Sequence, residues 1–273
     1  MSFSQALSGL SAQSESLNVI GNNIANSQTV GFKAGDALFA DVFAGANSKV
    51  GLGTRVSDVR QDFTAGSLEG TGSQLDLAIS GNGFFRLAEY SGGPPNPGNE
   101  DEVFYSRNGQ FTRDKEGFIV NATGQYLTGD DDGDAADATD PLKIPEENGG
   151  AKLLGFDLQD DGSITANYDD DTTLNKQINL ASFVNPAGLQ PVGDNNFKIT
   201  DASGDPEEAG NTEANLGTPG TGTLGSIESG FVESSNVDLA TELVDTIITQ
   251  RAYQANSTSI STQDEILQTV LQL

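Results

Sequence analysis

Residues 18–34, NVIGNNIANSQTVGFKA, decide how the ends of this chain are read. Apolar side chains recur there at helical spacing, yet the gaps hold Asn, Ser and Gln. Lys and Glu, which form helix well and keep an outer face solvated, are missing. TVGFK then breaks the period, and Gly31 is expected to end the helical region. A helix face that is polar but uncharged asks for a partner other than water.

Working outward towards the N-terminus, Phe3, Leu10, Leu17 and Ile24 share one position of a seven-residue repeat. Leu7 takes the second position, and Ser14 and Gly21 fill its remaining sites. This spacing predicts a coiled-coil stripe on a helix of roughly 20 residues. The C-terminal end mirrors it. Leu239, Leu243, Tyr253, Ile260, Leu267 and Leu271 keep a heptad register, with Thr246, Gln250, Ser257 and Asp264 in the other slots. Ser235 and Asp238 form a capping-box pattern ahead of it. No Gly or Pro follows Gly230, so a helix of about 35 residues is expected to run ~50 Å.

The apolar positions alone fit an antiparallel hairpin closed within one molecule. That reading leaves the uncharged remainder unexplained, because an exposed hairpin carries Glu and Lys outside. Amides and small side chains suit close packing against many neighbours, where buried charge is costly. Asn22, Asn23, Asn26, Gln250, Arg251 and Asn256 are therefore expected as polar contacts between copies of the chain.

Composition narrows the function classes. The net charge of −27 excludes nucleic-acid binding by phosphate neutralisation and disfavours an anionic membrane surface. No apolar run approaches the ~20 residues of a spanning helix, and MSFSQALSGL lacks the features of a secretory signal peptide. Cys, His and Trp are absent, which removes thiol chemistry, the commonest general base and the commonest transition-metal ligand. No enzyme activity and no cofactor are expected. Residues 1–35 carry only Glu15 and Lys33, whereas 130–171 holds 14 acids against Lys143 and Lys152. A repulsive, solvated middle joins two nearly uncharged ends.

The middle reads as strands. LDLAISGNGFFRL alternates around a Gly-Asn-Gly turn. Asn108-Gly109, Glu116-Gly117 and Thr123-Gly124 separate short apolar runs as if in successive hairpins. Further strands are expected in GFDLQDDGSITANY and KQINLASFVN, and surface loops at 91–102, 129–141 and 201–225. Asp157, Gln159, Asp161 and Gly162 resemble the start of a calcium loop, but Tyr168 stands where a bidentate Glu is needed, so a turn between strands is expected. SGNGFF lacks the Lys-Ser/Thr of a phosphate loop and opens a strand. Pairs such as Asp114 and Glu116 have no aromatic-rich cleft to make them a glycosidase site. The fold class is therefore α+β: two terminal helices pairing as a coiled coil, with a central, mainly antiparallel β domain. The expected divisions are 1–30 with 231–273 as the helical domain, 31–71 with 216–230 as connections, and 72–215 as the β-rich domain.

MSFSQALSGLSAQSESLNVIGNNIANSQTVGFKAG, together with GFVESSNVDLATELVDTIITQRAYQANSTSISTQDEILQTVLQL, resembles the axial rod and hook proteins of the bacterial flagellum. VGLGTRV, QDFTAG, LDLAISGNGFFRL and VFYSRNGQF are closest to the hook member. The resemblance implies a homopolymeric tube with terminal helices inside and β domains outside, acting as a universal joint between rod and filament. It also implies export through the flagellar secretion channel to the outside of the cell. The implied partners are the distal rod protein, the hook cap, the hook–filament junction proteins and the export apparatus, with no nucleic acid and no membrane insertion. After GQYLTGD this chain has only a short acidic loop where longer hook proteins insert a large outer domain, and its length approaches that of the distal rod protein. A stiff rod subunit therefore stands beside the hook as the alternative. An acidic adhesin or matrix protein and a carboxylate-only hydrolase are the readings outside the family.

Overall fold

The computed structural model describes residues 3–43, 51–90, 100–130, 139–206 and 216–271. Helix α1 spans Phe3–Ala25 and helix α2 spans Leu239–Leu271. The strands between them pair antiparallel throughout the described residues, which is the α+β class read from the sequence. The central parts of the three expected loops, 91–99, 131–138 and 207–215, lie outside the described residues. The chain divides into two compact units. One holds 1–28, 33–64 and 235–273, and the other holds 29–32 and 65–234.

In the helical unit, α1 packs against α2 and against a two-stranded ribbon, β1 (Gly35–Phe43) and β2 (Gly51–Gln61). Residues 35–43 and 51–61 of the segment 31–71, expected as a connection, thus form this ribbon. A Cβ on Gly9 would stand 2.7 Å from Asn256 Nδ2, and Asn23 Nδ2 donates to Glu242 Oε1 at 2.9 Å. Numbers that rise along α1 fall along α2, so the helices are antiparallel. The same register sets Phe3 level with Thr262, and residues 263–271 of α2 overhang the start of α1. The buried face of α1 consists of Ala6, Gly9, Ala12, Ile20 and Asn23. Its small residues let backbones approach closely, as tight packing requires. The ribbon holds α1 along its length. Gln5 Nε2 donates to Gly51 O at 2.6 Å and Thr54 N–H to Ser8 Oγ at 3.3 Å. Gly53, at φ +124°, has no room for a Cβ beside Ser8 Oγ.

In the β unit, one sheet runs in the order Glu147–Asn148, Ala151–Leu158, Ser163–Tyr168, Thr173–Ile178, Tyr126–Asp130, Phe84–Glu89, Glu102–Ser106, Asn196–Lys198, Gln190–Gly193. Its core gathers Leu77, Phe85, Leu87, Phe111, Ile119, Leu127, Ile164 and Ile178. Glu116-Gly117 and Thr123-Gly124 do turn between paired strands, and Gln159–Gly162 joins the hairpin of 151–158 and 163–168. There Asp161 Oδ1 accepts the Ser163 N–H at 2.9 Å and closes the turn between the two strands.

Two expected hairpins are absent. Leu77–Ser80 pairs with Ser226–Ser229 and not with Phe84–Glu89 across Gly81-Asn82-Gly83. Glu102–Ser106 likewise does not pair across Asn108-Gly109. Gly109 serves close approach instead: its Cα faces the Leu77 carbonyl with no space for a side chain, and its own carbonyl accepts the Leu77 N–H at 2.9 Å.

Thr29–Phe32, the centre of the break after α1, belongs to the β unit. The Gly31 N–H donates to Glu233 O at 2.7 Å, and Asn195 Nδ2 donates to Val30 O at 2.7 Å. Gly31 sits at φ +72°, and a Cβ there would lie 2.6 Å from the Asn108 N. Only glycine fits both demands. Nearby, Arg107 and Glu233 are buried together at 3.5 Å, with the guanidinium over the Phe84 ring. Burial lowers the Arg107 pKa, and Glu233 opposes the shift.

Candidate assembly surface

α2 begins where Asp238 supplies its cap. Thr241 Oγ1 donates to Asp238 Oδ2 at 2.8 Å and the Ala240 N–H to Oδ1 at 3.0 Å, which together hold the carboxyl below its ordinary range. Ser235 is not part of this cap. Its Oγ accepts the Val237 N–H at 3.3 Å in a turn before the helix, so the expected box separates into a turn and a one-residue cap. The helix starts at Leu239, so Asp238 stands at the N-cap itself and its carboxylate takes the Ala240 amide, leaving Ser235 outside the first turn.

At the foot of the helical unit, three elements converge on Asn23. Its Oδ1 accepts the Gly35 N–H at 2.9 Å, and its Nδ2 donates to Gly35 O and to Glu242 Oε1, both at 2.9 Å. Asn23, expected between copies, thus uses its amide within the chain. Asn236 was not singled out in the sequence. Its Oδ1 accepts the Ala34 N–H at 2.8 Å and its Nδ2 donates to Asp62 O at 2.8 Å. Partial desolvation raises the Glu242 pKa; the Asn23 hydrogen bond opposes this, and the charges of Asp245, Asp36 and Asp238 add to the rise.

The less exposed residues of α2, namely Glu242, Thr246, Thr249, Ala252, Asn256, Ser259, Ile260 and Gln263, recur at intervals of three and four, with Ser259 and Ile260 adjacent. They form the seam facing α1, and it is small and mostly polar. The apolar heptad positions expected to make that seam stand elsewhere. Phe3 and Leu7 are exposed on the outer face of α1, while Leu10, Leu17 and Ile24 are half-buried at its flank. Leu239, Leu243, Tyr253, Leu267 and Leu271 are exposed, and of the expected α2 positions Ile260 alone joins the seam, half-buried. Among the expected polar contacts, Gln250 and Arg251 are exposed, Asn256 meets Gly9, and Asn22 pairs with Asn26 at 2.7 Å where α1 gives way to the following turn.

What the heptad reading missed is that exposed apolar side chains come in doublets one turn apart. Leu243, Val244, Ile247 and Ile248 form one stripe, with Ile248 58% exposed. Ile266, Leu267, Val270 and Leu271 form a second on the overhang, with Leu271 85% exposed. The signal was present as pairs at i, i+1, i+4 and i+5, a wider stripe than a coiled-coil seam needs. Contiguous apolar surface of this kind marks an interaction site. Each such side chain contributes about 1.5–3 kcal/mol when another surface covers it fully. No helix is long and apolar enough to cross a membrane among the described residues.

Three family models match this chain. "Flagella basal body rod protein" covers residues 4–33, "Flagellar hook protein FlgE/F/G D1 domain" covers 78–166, and "Flagellar basal body rod FlgEFG protein C-terminal" covers 228–273. The chain is 33% identical over 420 residues to the flagellar hook protein FlgE of Escherichia coli strain K12, covering 100% of each. It is 35% identical over 283 residues to the flagellar basal-body rod protein FlgG of Buchnera aphidicola subsp. Acyrthosiphon pisum, covering 97% of this chain and 96% of that one. To the rod protein FlgG of Bacillus subtilis strain 168 it is 32% identical, covering 98% and 96%. Matches at both helical ends and in the β unit, with full-length relatives on either side, converge on one conclusion: the chain belongs to the family of flagellar hook and basal-body rod proteins and is a structural subunit of that kind.

Proposed function

We propose that the chain polymerises with copies of itself into the hollow tube of the flagellar hook, outside the cell, and passes torque from rod to filament as a flexible joint. The observation that carries this reading is the inversion on α2: small and polar residues face α1, while Leu, Ile and Val face outward. A subunit that ends its life as a monomer gains nothing from that arrangement. Neighbouring copies supply the missing cover, with helical units lining the channel and β units outside. Export proceeds through the flagellar secretion channel. The distal rod protein, hook cap and junction proteins meet the two ends of the tube, and no catalytic step is involved.

The rod reading has one specific support. The hook relative's alignment spans 420 positions against 273 residues here, leaving about 147 without a counterpart in this chain, whereas the rod relatives align over 283. We assign the difference to a hook subunit without the large outer domain, because VGLGTRV, QDFTAG and the opening segment follow the hook pattern. Negative-stain microscopy of the concentrated, purified chain tests both readings. Curved tubes support the hook, uniformly straight ones the rod, and a chain that stays monomeric at every concentration contradicts both.

A further inference from the structure

The overhang of α2 continues the seam that faces α1. Asn256, Ile260 and Gln263 are followed at the same spacing by Leu267 and Val270, beyond the level of Phe3 where α1 begins. The seam is small and polar where α1 covers it and turns apolar where α1 has ended. A groove lined in part by Thr262, Gln263, Ile266 and Leu267 opens at the transition. The stripe centred on Ile247 and Ile248 looks the other way, roughly 150° around the helix at 3.6 residues per turn.

We propose that the overhang of one copy packs onto the Leu243–Ile248 stripe of the next, and that this head-to-tail contact of α2 on α2 sets the stagger of the polymer. The proposal rests on the self-assembly reading and names the surfaces that meet. Three observations select a second copy as occupant. The overhang is continuous with the α1–α2 interface, so its geometry is already that of a helix-packing seam. The two patches match in length, each two turns of doublets. Opposite charges are also within reach: Arg251, the single basic residue of α2, lies one turn beyond the stripe, which itself carries Asp245, and Asp264 and Glu265 lie on the overhang.

Because the two patches differ, the contact is heterologous and repeats without closing, as a filament requires; a two-fold dimer would need one self-complementary patch. Ile247 and Leu267 are about 30 Å apart along one helix, so matching them displaces successive copies by a comparable distance.

The chain has no cysteine, which makes cross-linking clean. Ile247→Cys and Leu267→Cys are placed in one full-length chain, concentrated and mildly oxidised. Linkage within one α2 is excluded, since a disulfide needs its Cα atoms within about 7 Å. A ladder of linked multimers is expected, at least tenfold above a control pair of Ser11→Cys with Leu267→Cys. Should the double variant assemble poorly, each single variant is diluted into wild-type chain and the two are mixed, and a disulfide heterodimer is expected. If wild-type chains polymerise but 247 and 267 link no better than the control, this contact is overturned while the assembly reading stands. If wild-type chains never polymerise, the assembly reading fails and takes the contact with it.

Discussion

Asn23 and Asn236, from the two ends of the chain, hold consecutive amides of one segment: Asn236 Oδ1 takes the Ala34 N–H at 2.8 Å and Asn23 Oδ1 the Gly35 N–H at 2.9 Å. The two differ in burial, and their removal should differ accordingly. Asn23 is 3% exposed, so Asn23→Ala strands buried groups of Gly35 and should cost about 1–3 kcal/mol. Asn236 is only half-buried, water can replace its amide, and Asn236→Ala should cost about 0.5–1.5 kcal/mol. Urea unfolding followed by the helical circular dichroism signal orders the two. A larger loss for Asn236→Ala contradicts the clamp.

The Glu242 pKa lies above the ordinary 4.5 in the folded chain. Its protonated form is therefore favoured by folding. The stability it contributes is complete below the ordinary value and is lost as pH rises through the folded value. Glu242→Gln imitates the protonated acid and keeps an acceptor for Asn23. The variant should melt higher than wild type at pH 7, and the gap should narrow on acidification towards pH 4.5. Thermal melts across that range check it, and a lower melting temperature at pH 7 would sink the reading.

Gly31→Ala combines a left-handed backbone with a contact 2.6 Å from the Asn108 N. An alanine there costs about 1–3 kcal/mol for the backbone conformation alone, before the collision with Asn108 is relieved. The β unit should lose several degrees of melting temperature, read by near-ultraviolet signals of its Phe and Tyr residues. Gly72→Ala is the control, since Gly72 shares the positive φ but has open space around its Cα. Equal losses in both variants would show that the collision contributes nothing.

Sequence periodicity made both helices, their pairing and the antiparallel middle legible, because Leu and Ile at heptad spacing and Gly-containing turns report local geometry directly. It did not place the seam. Leu243 and Leu267, expected to serve helix packing and self-assembly together, stand exposed in the single chain, because a repeat shows which residues share a face, not whose surface covers that face. The actual seam of Ala6, Gly9, Thr249 and Asn256 is nearly silent in an apolar pattern, since small and polar residues signal close approach only once the partner is in place. The Asn108-Gly109 turn misled for a related reason: a glycine needed for contact with Leu77 looks the same in sequence as one needed for a hairpin.

Only Thr249 of α2 is buried in the described chain. A long helix with so little cover recovers little of its ordering cost, roughly 1–2 kcal/mol per residue in backbone entropy. In a dilute monomer α2 should therefore be cut first by limited proteolysis, leaving a folded fragment near residues 65–234, the main segment of the β unit. Equal protection of α2 and the β unit at low concentration contradicts this.

The central claim is that copies meet through the apolar face of α2. Electron cryomicroscopy of the assembled chain, at a resolution that shows side chains, tests it most directly. The account predicts a tube with α1 and α2 around the channel, the β unit outside, and Ile247 and Ile248 buried against a neighbouring subunit. A polymer held together by its β units, with Ile247 and Ile248 facing water, would contradict it.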